Sequence, residues 1–158
     1  MAAVPQLIAR YELLPHPEGG WYREVHRSTL TVTRGDGQAR SALTQILFLL
    51  EAPAVSRWHR VSQADETWQF IGGDPLELLC LPARGGPPAI TRLGFSLSDA
   101  GLEPLAVVPA DHWQAARCLG AWSLVSCGVG PGFSFGDFTL LADDPEARPL
   151  AAAWADLL

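Results

Sequence analysis

The sequence has little charge and little cysteine, and each shortage excludes a class of protein. Only 18% of the 158 residues are charged, against 48% hydrophobic. Such a chain buries enough apolar surface to offset the entropy of folding, which a disordered tail cannot do. Basic residues are outnumbered by acidic ones, 11 to 17, for a net charge of -6 and a pI near 5.1. A phosphate-tracking surface is therefore not expected, because nucleic-acid affinity rests largely on Lys and Arg releasing counterions. No long hydrophobic run is present: the most apolar stretch, residues 42–50, is too short to span a bilayer and carries Thr44 and Gln45. The first residues lack the basic-then-apolar layout of a signal peptide, so neither membrane nor export is expected and a cytoplasmic location is. The three cysteines, Cys80, Cys118 and Cys127, are an odd set without a CxxC spacing, which reads as free thiols in a reducing compartment. A phosphate-binding glycine loop is missing, since each Gly-Gly pair lies at a strand turn and opens no helix. Ser62 and Ser126 lack any nucleophile context, which leaves a hydrolase triad without support.

The length suits one domain over residues 1–158, large enough for a core without disulfides. Leu7, Ile8, Tyr11 and Leu14 follow helical spacing between Pro5, suited to a first turn, and Pro15, which stops the pattern. One short amphipathic helix is expected there. Short runs rich in Val, Ile, Leu, Phe, Trp and Thr then recur between Gly and Pro punctuation. They occupy residues 21–27, 42–50, 66–71, 76–81, 90–95, 105–108, 121–129 and 134–141. Turn signals stand at 35–37, 72–75, 85–88 and 128–132. Many short strands without intervening helices mean an all-β sandwich or barrel. Residues 149–158, with a run of alanines and Trp154, read as a short closing helix against the outside of a sheet.

The segment Trp58-His59-Arg60-Val61-Ser62-Gln63-Ala64-Asp65-Glu66, continuing to Gly72-Gly73, resembles the first cupin motif, in which two His, a Glu and a later Gly line a metal site. His59, Glu66 and Gly73 match; Val61 stands in place of the second His and Pro53 in place of the opening Gly. In the second motif Pro109 matches the start and Gln114 occupies the His position. The block HPEGG at 16–20, running on through Trp21-Tyr22-Arg23-Glu24, is more specific. With Trp58-His59, Asp65-Glu66-Thr67-Trp68, Val108-Pro109, Trp113-Gln114 and residues 129–138, it makes the chain similar to the uncharacterised cupin family Cupin_5 over about residues 7–141. The resemblance implies a cupin double-stranded β-helix, a jelly-roll barrel with an inner pocket, a fold like that of sugar-nucleotide epimerases, and a homodimer.

With two of four usual ligand positions lost, the remaining His59, Glu66 and Gln114 would hold a divalent metal weakly, because such ions prefer imidazole or thiolate to a neutral amide. His112 could restore the site only if it shared a regular strand with Gln114. No cofactor is firmly expected. On adjoining inward-facing strands His59 and Glu66 would form a hydrogen-bonded acid-base couple, His59 as general base and Glu66 orienting it. Arg23, Trp58, Trp68, Trp113 and Gln114 are the expected ligand contacts, suited to a ring-shaped, anionic or sugar-like small molecule, with core packing the default for most of the tryptophans. His16 and Glu18 precede Gly19-Gly20, whose bare backbone allows close approach to a ligand or partner, or a rigid turn. Phe133, Phe135 and Phe138 are expected in the core. Three functions fit: proton transfer on a small polar metabolite, metal-dependent cupin chemistry, and metabolite binding without catalysis.

Overall fold

The computed structural model describes residues 4–95 and 101–158. Helix α1 (Val4–Tyr11) opens the chain and buries Val4 and Leu7. It ends earlier than the spacing of Leu14 suggested: Glu12 takes a positive φ of 52°, which breaks the helix, and Leu14 enters a strand with its side chain exposed.

Thirteen strands follow among the described residues: β1 (Leu14–Pro15), β2 (Trp21–Arg27), β3 (Thr31–Thr33), β4 (Ala39–Ser41), β5 (Thr44–Glu51), β6 (Val55–Val61), β7 (Asp65–Gly73), β8 (Leu76–Leu81), β9 (Ala89–Leu93), β10 (Leu105–Val108), β11 (Trp113–Cys118), β12 (Trp122–Gly130) and β13 (Phe138–Leu140). A six-stranded sheet runs β1-β2-β5-β12-β7-β10 and a five-stranded sheet runs β13-β6-β11-β8-β9, while β3 and β4 form a separate hairpin. Every ladder within them is antiparallel. The two large sheets stack as a jelly-roll barrel. Their facing sides share one core, with Phe48, Leu50, Trp68 and Phe70 from one sheet against Leu76, Leu78 and Ala116 from the other.

Alternation along a strand decides which side chains can reach the interior. Phe48, Glu66, Trp68 and Phe70 point inward, and so do His59, Val61, Gln114 and Ala116. Trp58, Trp113 and Ala115 therefore point outward from the five-stranded sheet, where they pack with Leu79, Leu81 and Leu141. The chain's last segment covers that face, burying Ala151 and Leu157. It is a pair of 3-10 turns over Arg148–Leu157, kinked at Ala151 and Trp154, rather than the regular helix expected. On the opposite side α1 packs on the outer face of the six-stranded sheet, against Leu49 and Leu124 with Trp21, Leu47 and Trp122 at the margin.

Residues 134–141 are a strand only over Phe138–Leu140; a 3-10 turn, Phe135–Asp137, precedes it. Asp137 anchors that turn to the β3–β4 hairpin through Arg34 at 3.0 Å and Arg40 at 2.8 Å.

Candidate active site

A cavity of about 370 Å³ opens between β2, β5 and the segment 133–138. His16, Glu18, His59 and Glu66 line it, together with Arg23, Val61 and the aromatic rings of Tyr22, Phe48, Phe133, Phe135 and Phe138.

The loop carrying Glu18 is shaped by two glycines. Gly19 has a φ of +110°, and a Cβ there would fall on the carbonyl oxygen of Val55. Gly20, at φ +73°, lies so close to the Phe48 ring and the Leu49 carbonyl that a Cβ would come within 3.0 Å of both. The bare backbone thus docks on β6, where the Arg57 amide donates to the Glu18 carbonyl at 2.8 Å. Close approach serves the chain's own barrel, and its result is to drive the Glu18 side chain inside. There Ser56 Oγ donates to Glu18 Oε1 at 2.8 Å, and Glu18 Oε2 lies 3.0 Å from His59 Nε2 and 3.4 Å from His16 Nδ1.

His59 is therefore coupled to Glu18 and not, as the sequence suggested, hydrogen-bonded to Glu66. Its other nitrogen, Nδ1, is 2.7 Å from the Arg57 carbonyl oxygen. A carbonyl only accepts, so Nδ1 carries the hydrogen and Nε2 is left as an acceptor in the neutral ring. Burial favours that neutral form and lowers the His59 pKa, with the Glu66 charge opposing. Burial also pushes the Glu18 carboxyl up to about 8, against smaller opposing effects of Ser56 and Arg57. In its neutral form Glu18 can donate to His59 Nε2 across that 3.0 Å contact. Burial, with the neighbouring His59, holds His16 down to about 3.

Glu66 stands on β7 with a separate set of partners. Gln114 Nε2 donates to Glu66 Oε2 at 2.6 Å, and Trp68 Nε1 donates to Gln114 Oε1 at 2.7 Å. An indole nitrogen only donates, so Trp68 fixes which end of the Gln114 amide faces Glu66. Burial raises the Glu66 carboxyl to about 7; His59 and Gln114 oppose the rise and the Glu18 charge adds to it.

Of the expected site residues, His59, Glu66 and Arg23 line the cavity. Trp58 and Trp113 do not, being on the outer face of their sheet beneath the closing segment. Trp113 instead carries the Arg60 guanidinium 4.6 Å above its ring. Trp68 and Gln114 point inward but lie fully buried behind Glu66, outside the cavity wall. Conversely, Phe133, Phe135 and Phe138 are cavity walls; Phe133 also packs on the small core cluster of Val61, Ala64 and Val129, whereas Phe135 is 53% exposed and does not fill the core. His16 and Glu18 belong to the site itself. Cys127 also reaches the cavity, where burial keeps its thiol protonated. The other two thiols are free as well.

The donors expected to hold a metal do not converge. Gln114 turns its only oxygen to Trp68, Glu66 gives one oxygen to Gln114, and His59 Nε2 faces Glu18. Val61 lines the cavity in place of an imidazole. Nor does His112 restore the set: it follows Asp111, whose φ is +65°, and precedes the first residue of β11. It lines a different hollow, beside Cys80 and Pro109. Among the described residues no three His, Cys, Asp or Glu side chains are grouped to hold a metal ion.

A family model described as Cupin superfamily (DUF985), Cupin_5, matches residues 5–141. A hypothetical protein from Leishmania major has a similar structure, with a TM-score of 0.85 and 31% identity over 99% of this chain and 98% of that one. Protein SO0799 from Shewanella oneidensis gives a TM-score of 0.85 and 32% identity over 100% of this chain and 98% of the other. A dTDP sugar isomerase from Desulfovibrio desulfuricans shares the fold at a TM-score of 0.57 and 17% identity, covering 92% of this chain and 88% of that one. No curated protein matches the sequence.

Proposed function

The chain belongs to the Cupin_5 family of the cupin superfamily, and from that premise we propose that it is a metal-independent proton-transfer enzyme, of the isomerase or epimerase kind, acting on a small polar metabolite in the barrel cavity. The observation that carries this reading is the buried Glu18–His59 pair, 3.0 Å apart and facing the same cavity as Glu66. Isomerisation beside a carbonyl needs one group to remove a proton from carbon and another to supply one to oxygen. Ionised Glu66 takes the first part, with Gln114 and Trp68 holding its orientation. The proton shared by Glu18 and His59 takes the second and returns when the enediol collapses. Balance is kept, because each group ends as it began. Groups whose pKa values lie near neutrality suit both directions of such a transfer, as the values near 8 and 7 for Glu18 and Glu66 do.

Deuterium wash-in tests the reading. Aldoses, ketoses and their amino-sugar counterparts are incubated with the protein in heavy water, and loss of a C–H signal is followed by proton NMR. Exchange into one of them is expected to fall by at least about a hundredfold in His59→Ala and Glu66→Gln, both variants remaining folded. Ligands that bind without exchange would replace the enzyme by a metabolite-binding module.

We also propose a homodimer. Support comes from the outer face of β7 and β10, where Ile71, Leu105 and Val107 are exposed and β10 is the last strand of its sheet among the described residues.

A further inference from the structure

Charge in the cavity is unevenly matched. No lysine occurs in the sequence, and the two arginines of the lining are engaged elsewhere: Arg23 pairs with Glu12, and Arg27 holds Glu24 at 2.8 Å. Glu18 has a basic partner in His59. Glu66 is only 7% exposed, yet its hydrogen-bond partner is the neutral amide of Gln114, and the one basic side chain acting on it among the described residues, His59, is held towards its neutral form by burial. An anionic carboxylate buried without a counter-ion is costly, and an opposite charge brought beside it recovers that cost.

The cavity that this carboxyl lines has aromatic walls. Phe133, Phe135 and Phe138 meet one another at interplanar angles of 83°, 69° and 75°, with centroids 4.9 to 6.2 Å apart. Rings set nearly at right angles form the corner of a box and turn faces in more than one direction. Phe138 extends the wall to His59 and His16, at 5.5 and 5.9 Å. A positive charge is attracted to ring faces, and aromatic cages of this construction receive ammonium groups. A carboxylate or phosphate ligand would meet Glu18, Glu24 and Glu66 with no unpaired base to receive it.

We propose that the cavity's ligand carries a protonated amine next to a flat or apolar ring, the ammonium seated against the Glu66 carboxylate and the ring within the Phe133–Phe135–Phe138 corner. This specifies the substrate class of the site described above and rests on the reading of the cavity as that site. The ammonium supplies the counter-ion that the chain withholds, and holds Glu66 in its ionised form.

Three probes of one shape and different charge provide the test: benzylammonium, benzyl alcohol and benzoate, titrated at pH 8 into the full chain and followed by protein-observed NMR. Benzylammonium is expected to bind at least about tenfold more tightly than either of the others. Glu66→Gln, which keeps the shape and the Gln114 contact, should remove that preference and leave the affinity for benzyl alcohol unchanged. Phe135→Leu should weaken benzylammonium several-fold more than benzyl alcohol. Equal or tighter binding of benzyl alcohol or benzoate by the native chain, or a preference surviving in Glu66→Gln, would overturn the proposed ligand class while leaving the cavity as a binding site. Failure of all three probes to perturb any cavity residue would overturn the ligand class and count against the cavity as a ring-binding site. The deuterium experiment is independent of these outcomes.

Discussion

At the scale of the residue, burial holds His16 down to about 3 and pushes Glu18 and Glu66 up to about 8 and 7, so each binds protons differently in the folded and unfolded chain. Stability changes with pH by the difference in bound protons, about 1.4 kcal/mol per pH unit for one fully differing group. An acid raised above its ordinary 4.5 keeps its proton only when folded, so it stabilises at low pH and loses that contribution as pH rises through the folded value. A histidine lowered below 6.5 behaves in reverse: its stability is present above 6.5 and is lost as pH falls towards 3. Between 4.5 and 6.5 the two kinds oppose each other. Above 6.5 the carboxyls act alone, and the thermal midpoint is expected to decline towards pH 8. Glu18→Gln and Glu66→Gln should each flatten that decline, as read from melting curves across the range. A decline as steep in both variants as in the native chain would mean that these carboxyls ionise as freely as in water.

At the scale of the element, the HPEGG loop holds the site together. Gly19→Ala places a Cβ on the Val55 carbonyl at a φ of +110°, and a cost of about 1–3 kcal/mol is expected. The same substitution should weaken ligand binding by displacing Glu18. A melting curve paired with a ligand titration reads both effects, and an unchanged pair would mean that the loop does not need its docked form.

Much of the fold could be read because its strands end at turns of definite chemistry. The ends of β2, β8 and β10 follow directly from the runs of branched and aromatic residues. β11 escaped that reading, since Ala115, Ala116 and Arg117 have little strand preference; these alanines are fully buried between β6 and β8, where close packing and not propensity decides. β6 is absent from the runs of branched and aromatic residues and enters only through its motif, which places His59 on an inward-facing strand. Once it is a strand, adjacent Trp58 and His59 must face opposite ways, so both could not be in the pocket. His59 and Glu66 were legible from their motif spacing. Glu18 was not, because it reaches the cavity through a loop whose docking partner is 36 residues away in sequence. Nor was the phenylalanine wall, which depends on a 3-10 turn that alternation does not describe.

At the scale of the whole molecule, the two outer faces are treated differently. α1 and the closing segment each cover part of a sheet, burying Leu49, Leu124, Trp58 and Trp113. The β7–β10 margin keeps Ile71, Leu105 and Val107 exposed at 46%, 45% and 54%. Light scattering at micromolar concentration is expected to give the mass of two chains, and Val107→Asp to shift it towards one. A single-chain mass for the native protein would remove the homodimer.

The proposed chemistry turns on the proton between Glu18 and His59. Long-range proton–nitrogen NMR on histidine-labelled protein reads it directly. His59 is predicted to be neutral at pH 7, with hydrogen on Nδ1 and an unprotonated Nε2 that shifts when Glu18 is replaced by Gln. A His59 that carries its hydrogen on Nε2, or that titrates near 6.5 without regard to Glu18, would contradict the account.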